Sequence, residues 1–437
     1  MNEENVIMLI GFILSKTRLG VPDDDIRHRM VEHGVDEALL KSITAAFAFV
    51  TSQMGLGIAQ ADIKQSMIQH GISARLVQYM VDELSVNSDR AFLQHLHGRV
   101  FQDLRNRVDG TEREKRFPSG RKDSVDAQEY AATLDWVTHH STPLFQAWSR
   151  LADPASKSLF IDLLRFHISG SEHVCLSLDP NWSAYNKMVA EISIDRVAQQ
   201  RHPEFQTGGF RCWQFPVQER TIHLLCFFVS IYHAFYMDQY FFKRGHVRIQ
   251  PEEGDYAVDT GGFVGETAVR FAIAVGRTGR VYSFEPVQEN VTIFEQNLST
   301  NGLDNIIIFP YGLSNVNHEA PLVSGGSITS GFRSDDAHQE IPLIMLDKLV
   351  QDGTVERVDF LKMDIEGAEL DALKGAEQTI RHFKPKLAIS AYHNKNNDLY
   401  SISDWIAGLD LGYYFFLDAY HYDGRETVLF ATTTPPF

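Results

Sequence analysis

The sequence predicts an α/β fold: a Rossmann-like doubly wound sheet that ends in an antiparallel hairpin and is preceded by α-helical N-terminal regions. Three observations carry this. From Pro251 onward, apolar runs of strand length alternate with helical patterns, the signature of a doubly wound sheet. The first run, Tyr256–Thr260, meets a glycine turn, Gly261-Gly262-Phe263-Val264-Gly265, that opens directly into a helical pattern over 265–275. The last two runs, 413–420 and 427–432, are aromatic and β-rich and flank a turn at Asp423-Gly424, as a hairpin requires.

The other elements follow in order. Within residues 1–88, Leu19-Gly20-Val21-Pro22-Asp23-Asp24-Asp25-Ile26 returns as Leu56-Gly57-Ile58-Ala59-Gln60-Ala61-Asp62-Ile63, and the register holds through His33-Gly34-Val35 and His70-Gly71-Ile72. Each copy reads as a helix, a glycine turn, a helix, a His-Gly stop and a third helix, with Gly34 and Gly71 at the helix ends. Nothing in this stretch looks catalytic, so it is expected to serve association with a protein partner or a second copy of the chain. Residues 89–244 are read as mainly helical, forming a cap that shapes the substrate pocket, with a looser connection around Gly110, Pro118 and Gly120. The apolar stretch 224–237 is read as a buried helix, since it is too short to span a bilayer. Phe241-Phe242-Lys243-Arg244-Gly245-His246-Val247 reads as a hairpin-like lead-in to the domain at 245–437. There, strands are expected at 256–260, 281–284, 306–311, 360–363 and 387–391, and helices at 265–275, 287–301, 369–382 and 398–409.

Composition bounds the function. A chain of 437 residues holds two or three domains with substantial cores. The net charge of −17 excludes a general binder of nucleic-acid backbones, which needs a basic face. Three cysteines, Cys175, Cys212 and Cys226, with no CxxC pairing, point to neither a zinc site nor a disulfide framework. The start, Met1-Asn2-Glu3-Glu4-Asn5, lacks the basic stretch of a signal peptide, and a cytoplasmic location is the default expectation.

The chemistry centres on acids at strand ends. About twenty residues past Gly265, the second apolar run ends on Glu285, placed to take a ribose diol. A dinucleotide site wants G-x-G-x-x-G, and from Gly261 that register puts Phe263 and Glu266 at the second and third glycine positions. The pyrophosphate cradle is therefore incomplete.

At this point the sequence resembles the FkbM family of S-adenosylmethionine-dependent methyltransferases. The matching stretches are Val258-Asp259-Thr260-Gly261-Gly262-Phe263-Val264-Gly265-Glu266-Thr267, Phe284-Glu285-Pro286, Tyr311-Gly312-Leu313-Ser314-Asn315 and Leu346-Asp347-Lys348-Leu349. The most specific is Leu361-Lys362-Met363-Asp364-Ile365-Glu366-Gly367-Ala368-Glu369, followed by Leu373-Lys374-Gly375-Ala376. The resemblance implies a class I fold and methyl transfer from S-adenosyl-L-methionine, usually to a hydroxyl oxygen of a glycan, polyketide or related metabolite. It covers roughly 240–437 and, more loosely, the helical segment before it, and the first ninety residues have no counterpart in it.

S-adenosylmethionine carries no phosphate, which suits the shortened glycine motif. Asp259 is expected at its ammonium group, Gly261, Gly262, Phe263 and Gly265 at its amino-acid portion, Glu285 with Pro286 at the ribose, and Tyr311-Gly312 at the adenine. Asp364, Glu366 and His393 stand beyond the fourth and fifth strands as candidates for proton removal, with Asp364 also facing the methyl group. The same three side chains suit one magnesium or manganese ion, although spacing alone does not establish convergence and no metal site is assigned. Two other classes stay open: an NAD(P)-binding oxidoreductase, disfavoured by the glycine motif and the terminal hairpin, and a non-catalytic protein working through its N-terminal repeats.

Overall fold

The structure, a computed structural model, describes residues 3–18, 23–32, 35–55, 58–105, 125–176, 182–202, 210–317, 319–321, 340–394, 397–421 and 424–436. Its centre is a seven-stranded sheet made of β1 (Tyr256–Thr260), β2 (Arg280–Phe284), β3 (Ile306–Phe309), β4 (Phe360–Met363), β5 (Lys386–Ser390), β6 (Tyr414–Ala419) and β7 (Thr427–Thr432). In space the order is β6-β7-β5-β4-β1-β2-β3. Strands β1 to β5 run parallel, and β7 inserts antiparallel between β5 and β6. This is the class I methyltransferase architecture, with the expected hairpin closing the sheet. Its turn residue Asp423 lies outside the described residues.

These strands lack a polar–apolar alternation because both faces are covered, as parallel sheets require. All four residues of β4 and all six of β7 are buried. On one face Ala257, Val281, Phe360 and Phe416 pack with Phe271 and with the N-terminal helices. On the other, Val258, Tyr282, Leu361 and Ile389 pack against the helices Asp89–Arg105 and Pro154–Ser169. The chain fills β1, β2 and β3 to one side of β1 and then returns to lay β4 on the other. The crevice for a ligand therefore opens between the carboxyl ends of β1 and β4.

Helix α1 (Glu266–Val275) follows β1, and α2 (Gln288–Asn301) follows β2. The helix expected over 369–382 is two, Glu369–Lys374 and Glu377–Phe383. Gly375 stands between them, and a Cβ there would lie 1.9 Å from the Ser314 carbonyl oxygen. The third strand stops at Phe309. Gly312–Leu313 instead pairs with Leu343 and Ile344 in a separate small sheet.

The largest correction concerns 224–237. The first part of this stretch is a strand, Arg220–Phe227, paired antiparallel with Phe210–Val217, and only Phe228–Ile231 and the π-helical turn Tyr232–Tyr236 coil after it. A run apolar on most faces carries no period that separates strand from helix. What decides is the edge partner. Asn297 and Asn301, one turn apart on α2, accept from the Leu225 and His223 amides at 2.8 Å each and donate back to the same residues' carbonyls. Two side-chain amides thus take the place of a neighbouring strand. The 89–244 region is accordingly a mixed layer, not purely helical. The expected lead-in hairpin is present as Phe242–Arg244 and Val247–Ile249.

The repeat folds into five helices, Glu3–Arg18, Asp23–Glu32, Glu37–Gly55, Gln60–Gln69 and Ala74–Ser85. The central one closes the first copy and opens the second. His70 ends its helix with Nδ1 2.8 Å from the Ser66 carbonyl, while His33-Gly34, the Leu19-Gly20-Val21-Pro22 and Leu56-Gly57 turns and the 106–124 connection lie outside the described residues. These helices pack on the rest of the chain: the Phe12 and Tyr414 rings are 5.0 Å apart, and Lys157 meets Glu83 at 2.8 Å in a buried ion pair. Among the described residues no helix is long and apolar enough to cross a membrane.

Candidate active site

A cavity of about 560 Å³ lies over the carboxyl ends of β1, β2 and β4. Its floor is the glycine turn after β1. Gly261 has φ +82, and a Cβ there would sit 1.9 Å from the Asp364 carbonyl oxygen, so only glycine lets the β1 and β4 ends close together. The roof comes from Val229 and Ser230 on the short helix Phe228–Ile231, from His233 and Ala234 on the π-helical turn, and from Tyr240 after it. Segments of this kind recur where a helix must be re-aimed at a site.

Beneath the floor runs a polar row. The parallel register sets Lys362 of β4 beside Asp259 of β1, and Asp259 beside Ser283 of β2. Lys362 Nζ lies 2.9 Å from Asp259 Oδ1 and donates to the carbonyls of Thr260 and Gly261 at 3.1 and 3.0 Å. Ser283 donates to the other Asp259 oxygen at 3.0 Å. Both charges are fully buried, and the pair ties the glycine turn to β4.

Glu285 closes the β2 side. Its Oε2 accepts from the Phe263 amide at 2.8 Å, and its Oε1 from the Val287 amide and the Asn290 side chain. Burial pushes its carboxyl up to about 7 against these hydrogen bonds. On the β4 side, Tyr240 and Tyr392 donate to Asp364 at 2.9 and 3.3 Å. Burial opposes the Asp364 charge, but Lys362, His393 and the Tyr240 hydrogen bond outweigh it and hold the carboxyl below its ordinary range. Glu366 occupies a left-handed position with φ +56, and burial pushes its carboxyl up to about 7. His393 Nδ1 sits 2.8 Å from Glu369, and its Nε2 lies 3.4 and 3.6 Å from Asp364 and Glu366.

Comparison with known proteins points to a methyltransferase. Residues 258–415 match the family described as Methyltransferase FkbM domain. The chain carries an FkbM methyltransferase domain. Over 134 residues, 30% of this chain, it is 27% identical to the hexuronic acid methyltransferase AglP of Haloferax volcanii, and the match spans 54% of that protein. A structure of methyltransferase FkbM from Methylobacillus flagellatus is 22% identical, with 68% of this chain and 60% of that one covered and a TM-score of 0.44. Fibrillarin from Aeropyrum pernix, solved with natively bound S-adenosyl-L-methionine, is 15% identical, with 43% and 70% covered and a TM-score of 0.29.

Within the FkbM domain, the residues singled out from sequence fall into two groups. Gly261, Phe263, Glu285, Pro286, Gly312, Asp364 and Glu366 line the cavity. Asp259, Gly262, Gly265, Tyr311 and His393 do not. Asp259 is covered by Lys362 and Ser283, so its carboxylate faces the sheet and not a ligand's ammonium group. Gly262 and Gly265 instead make room for Ser283 and for the ring of Phe294. His393 stands behind the lining with both nitrogens engaged by acids.

That arrangement alters what His393 does. Burial alone would lower its pKa, but the Glu369 hydrogen bond and the charges of Asp364, Glu369 and Glu366 raise it to about 9. At neutral pH it is an imidazolium and carries no free lone pair for proton removal. Asp364, Glu369 and His393 lie close enough to hold a metal, yet the two ring nitrogens each face a different carboxylate, which is the geometry of an ion-paired imidazolium. His393→Ala is expected to cost about 3–5 kcal/mol in urea unfolding, because it strands buried Glu369 without its counter-charge. The folded pKa exceeds the unfolded one, so this stabilisation is complete below about pH 6.5 and is lost as pH rises through about 9. The variant should therefore show a flatter stability profile over that range. A loss below about 1 kcal/mol would show that the pair contributes no more than an exposed one.

Sequence reasoning did not reach Lys362, Ser230, His233 or Tyr240 as site residues, and it weighed Glu266 only as a departure from the glycine motif. Burial, with the charge of His421, lowers the His233 pKa to about 4, so it lines the cavity as a neutral imidazole. The only hint in the sequence was a lone histidine in an apolar run.

Proposed function

We propose that this chain transfers a methyl group from S-adenosyl-L-methionine to a hydroxyl oxygen of a glycan, polyketide or related metabolite. The observation that carries the reading is the cavity itself, which brings a glycine turn, Glu285 at a strand end and Asp364 at the adjacent switch point to one wall. The donor set fits that cofactor: acids for a diol and a cation, close backbone, and apolar Phe284, Leu313, Ile341 and Leu343 beside the β3 end. A dinucleotide fits less well, since Glu266, Glu285, Asp364 and Glu366 face the space where a pyrophosphate needs donors. The matched stretch spans 54% of the Haloferax volcanii enzyme, whose name places its methyl group on a hexuronic acid, and this favours a sugar among the acceptors.

When bound, the cofactor supplies an electrophilic methyl group. The chain's own residues hold and orient. Gly261 and Phe263 set the floor, Glu285 takes the ribose hydroxyls on its remaining lone pairs, and Pro286 with Gly312 borders the adenine slot. Asp364, fixed by two tyrosines and held charged, faces the reacting centre without titrating. Glu366, whose carboxyl exchanges its proton near neutral pH, takes the proton from the acceptor hydroxyl. His393 holds both carboxylates in place from behind. The roof segment from Val229 to Tyr240 excludes water and shapes the acceptor side, and the N-terminal helices at 1–88 serve association with a partner or a second copy.

The test is calorimetric titration of the full chain with S-adenosylhomocysteine, with NADH as the parallel ligand. Saturable binding of S-adenosylhomocysteine alone is expected. Glu285→Ala should weaken it by about 10- to 100-fold, the worth of hydrogen bonds to a charged acceptor. Binding of NADH alone would overturn the reading.

A further inference from the structure

One acid in the cavity keeps a buried carboxylate oxygen without a partner. Glu266, the first residue of α1, is nine-tenths buried, and its Oε2 has no hydrogen-bond partner among the described residues. A buried, unpartnered carboxylate oxygen is costly and calls for an explanation from outside the chain. Neighbouring groups do not supply one. Lys362 is the nearest cation acting on it, but its three N–H bonds are directed at Asp259 and the carbonyls of Thr260 and Gly261. Its own backbone amide and the Ser230 side chain hydrogen-bond the carboxylate and favour its charged form, whereas Asp259 opposes it from β1; none of them occupies Oε2. Cys226, also on the roof side, is buried and its thiol is pushed up, so it adds no charge at neutral pH.

We infer that Glu266 is the anionic partner for the amino-acid end of the cofactor, receiving its α-ammonium group on the free oxygen Oε2. This rests on the S-adenosylmethionine reading above. Position supports it. Glu266 lines the cavity beside Gly261, Thr267 and Ser230, on the β1 side, whereas Glu285 lies at the end of β2 with Pro286 and Asn290. Two acids, one opening α1 and one following β2, match a ligand with a diol in one part and a cation in another. Asp259, the acid expected from sequence to take the cation, is shut under the floor by Lys362. Glu266 is the acid left facing the ligand at that end. Burial raises its carboxyl to about 7, so an arriving cation draws it into the charged form and a proton leaves.

The experiment compares wild type with Glu266→Gln in calorimetric titrations at pH 7, each in two buffers of different ionisation enthalpy. The two ligands are S-adenosylhomocysteine and 5′-methylthioadenosine, which keeps the adenosine and sulfur but lacks the amino-acid end. Glutamine is isosteric and removes an unpartnered charge, so the variant should melt no lower than wild type. S-adenosylhomocysteine should bind about 10- to 100-fold more weakly to the variant, while 5′-methylthioadenosine binds both proteins within about twofold. Wild type should release about half a proton more than the variant on binding S-adenosylhomocysteine, and none more on binding 5′-methylthioadenosine. Equal affinity of S-adenosylhomocysteine for both proteins would overturn the inference and leave the cofactor reading standing. So would an equal loss for both ligands, which would make Glu266 a determinant of cavity shape. If wild type binds neither ligand, the cofactor reading itself falls. Should Glu266→Gln fail to fold, Glu266→Asp carries the same ligand comparison with its carboxylate withdrawn by one methylene.

Discussion

Replacing Lys362 with methionine is expected to lower the free energy of unfolding by about 3–5 kcal/mol, the cost of leaving one member of a buried ion pair without its partner. Asp259 has no exposure through which water can compensate, and its remaining contact is the Ser283 hydroxyl. The double variant Lys362→Met with Asp259→Leu should recover most of that loss, since apolar replacement of both charges is often neutral or better. Urea unfolding of the four proteins in the cycle measures the coupling. Recovery of stability is not expected to restore cofactor affinity. Lys362 also binds the Thr260 and Gly261 carbonyls, so without it the glycine turn loses its tie to β4. The double variant should be stable and bind S-adenosylhomocysteine poorly. Full stability in Lys362→Met alone would mean that the buried pair contributes no net stability to the fold.

This row also shows where sequence reasoning stopped. Strands β1 and β4 were legible to the residue, because short apolar runs end at turn residues and both faces are buried. The polar residue inside each run, Asp259 and Lys362, was visible too. What could not be read was their meeting, since it depends on the parallel register of strands far apart in sequence. Without that register, Asp259 looked like a free acid at the ligand. Glu266 looked like a defect in a glycine motif until a cavity and an unpartnered oxygen gave it a direction. His393 was found as a polar residue past an interior strand. Its charge state comes from the distances to three carboxylates, which spacing does not supply. The stretch leading into the roof was misread for another reason: Arg220–Phe227 is a strand because Asn297 and Asn301 hydrogen-bond its edge, and those partners lie more than seventy residues further along the chain.

The largest effect on turnover is expected at Glu366. Glu366→Gln keeps the shape and hydrogen-bonding reach of the side chain but cannot take a proton, and should reduce kcat by about 100- to 10,000-fold, the usual range for a general base. The surroundings select this residue over its neighbours. Asp364 is held below the ordinary carboxylate range and is a weak base, while His393 is already protonated with its nitrogens turned to acids. Glu366 lines the cavity, and burial places its carboxyl at about 7, poised for exchange. A raised acid must lose its proton before it can act, so kcat/KM should climb about tenfold per pH unit below about 7 and level off above it. The measurement is the pH–rate profile with a hydroxylated acceptor found by following labelled methyl transfer, for wild type and Glu366→Gln, alongside S-adenosylhomocysteine affinity. In the variant the acidic limb should vanish with the rate while that affinity stays within a few-fold. Wild-type turnover in Glu366→Gln with the limb intact would move the base to Asp364. Loss of cofactor affinity in parallel with rate would make Glu366 a wall of the cofactor pocket, with the proton leaving by another route.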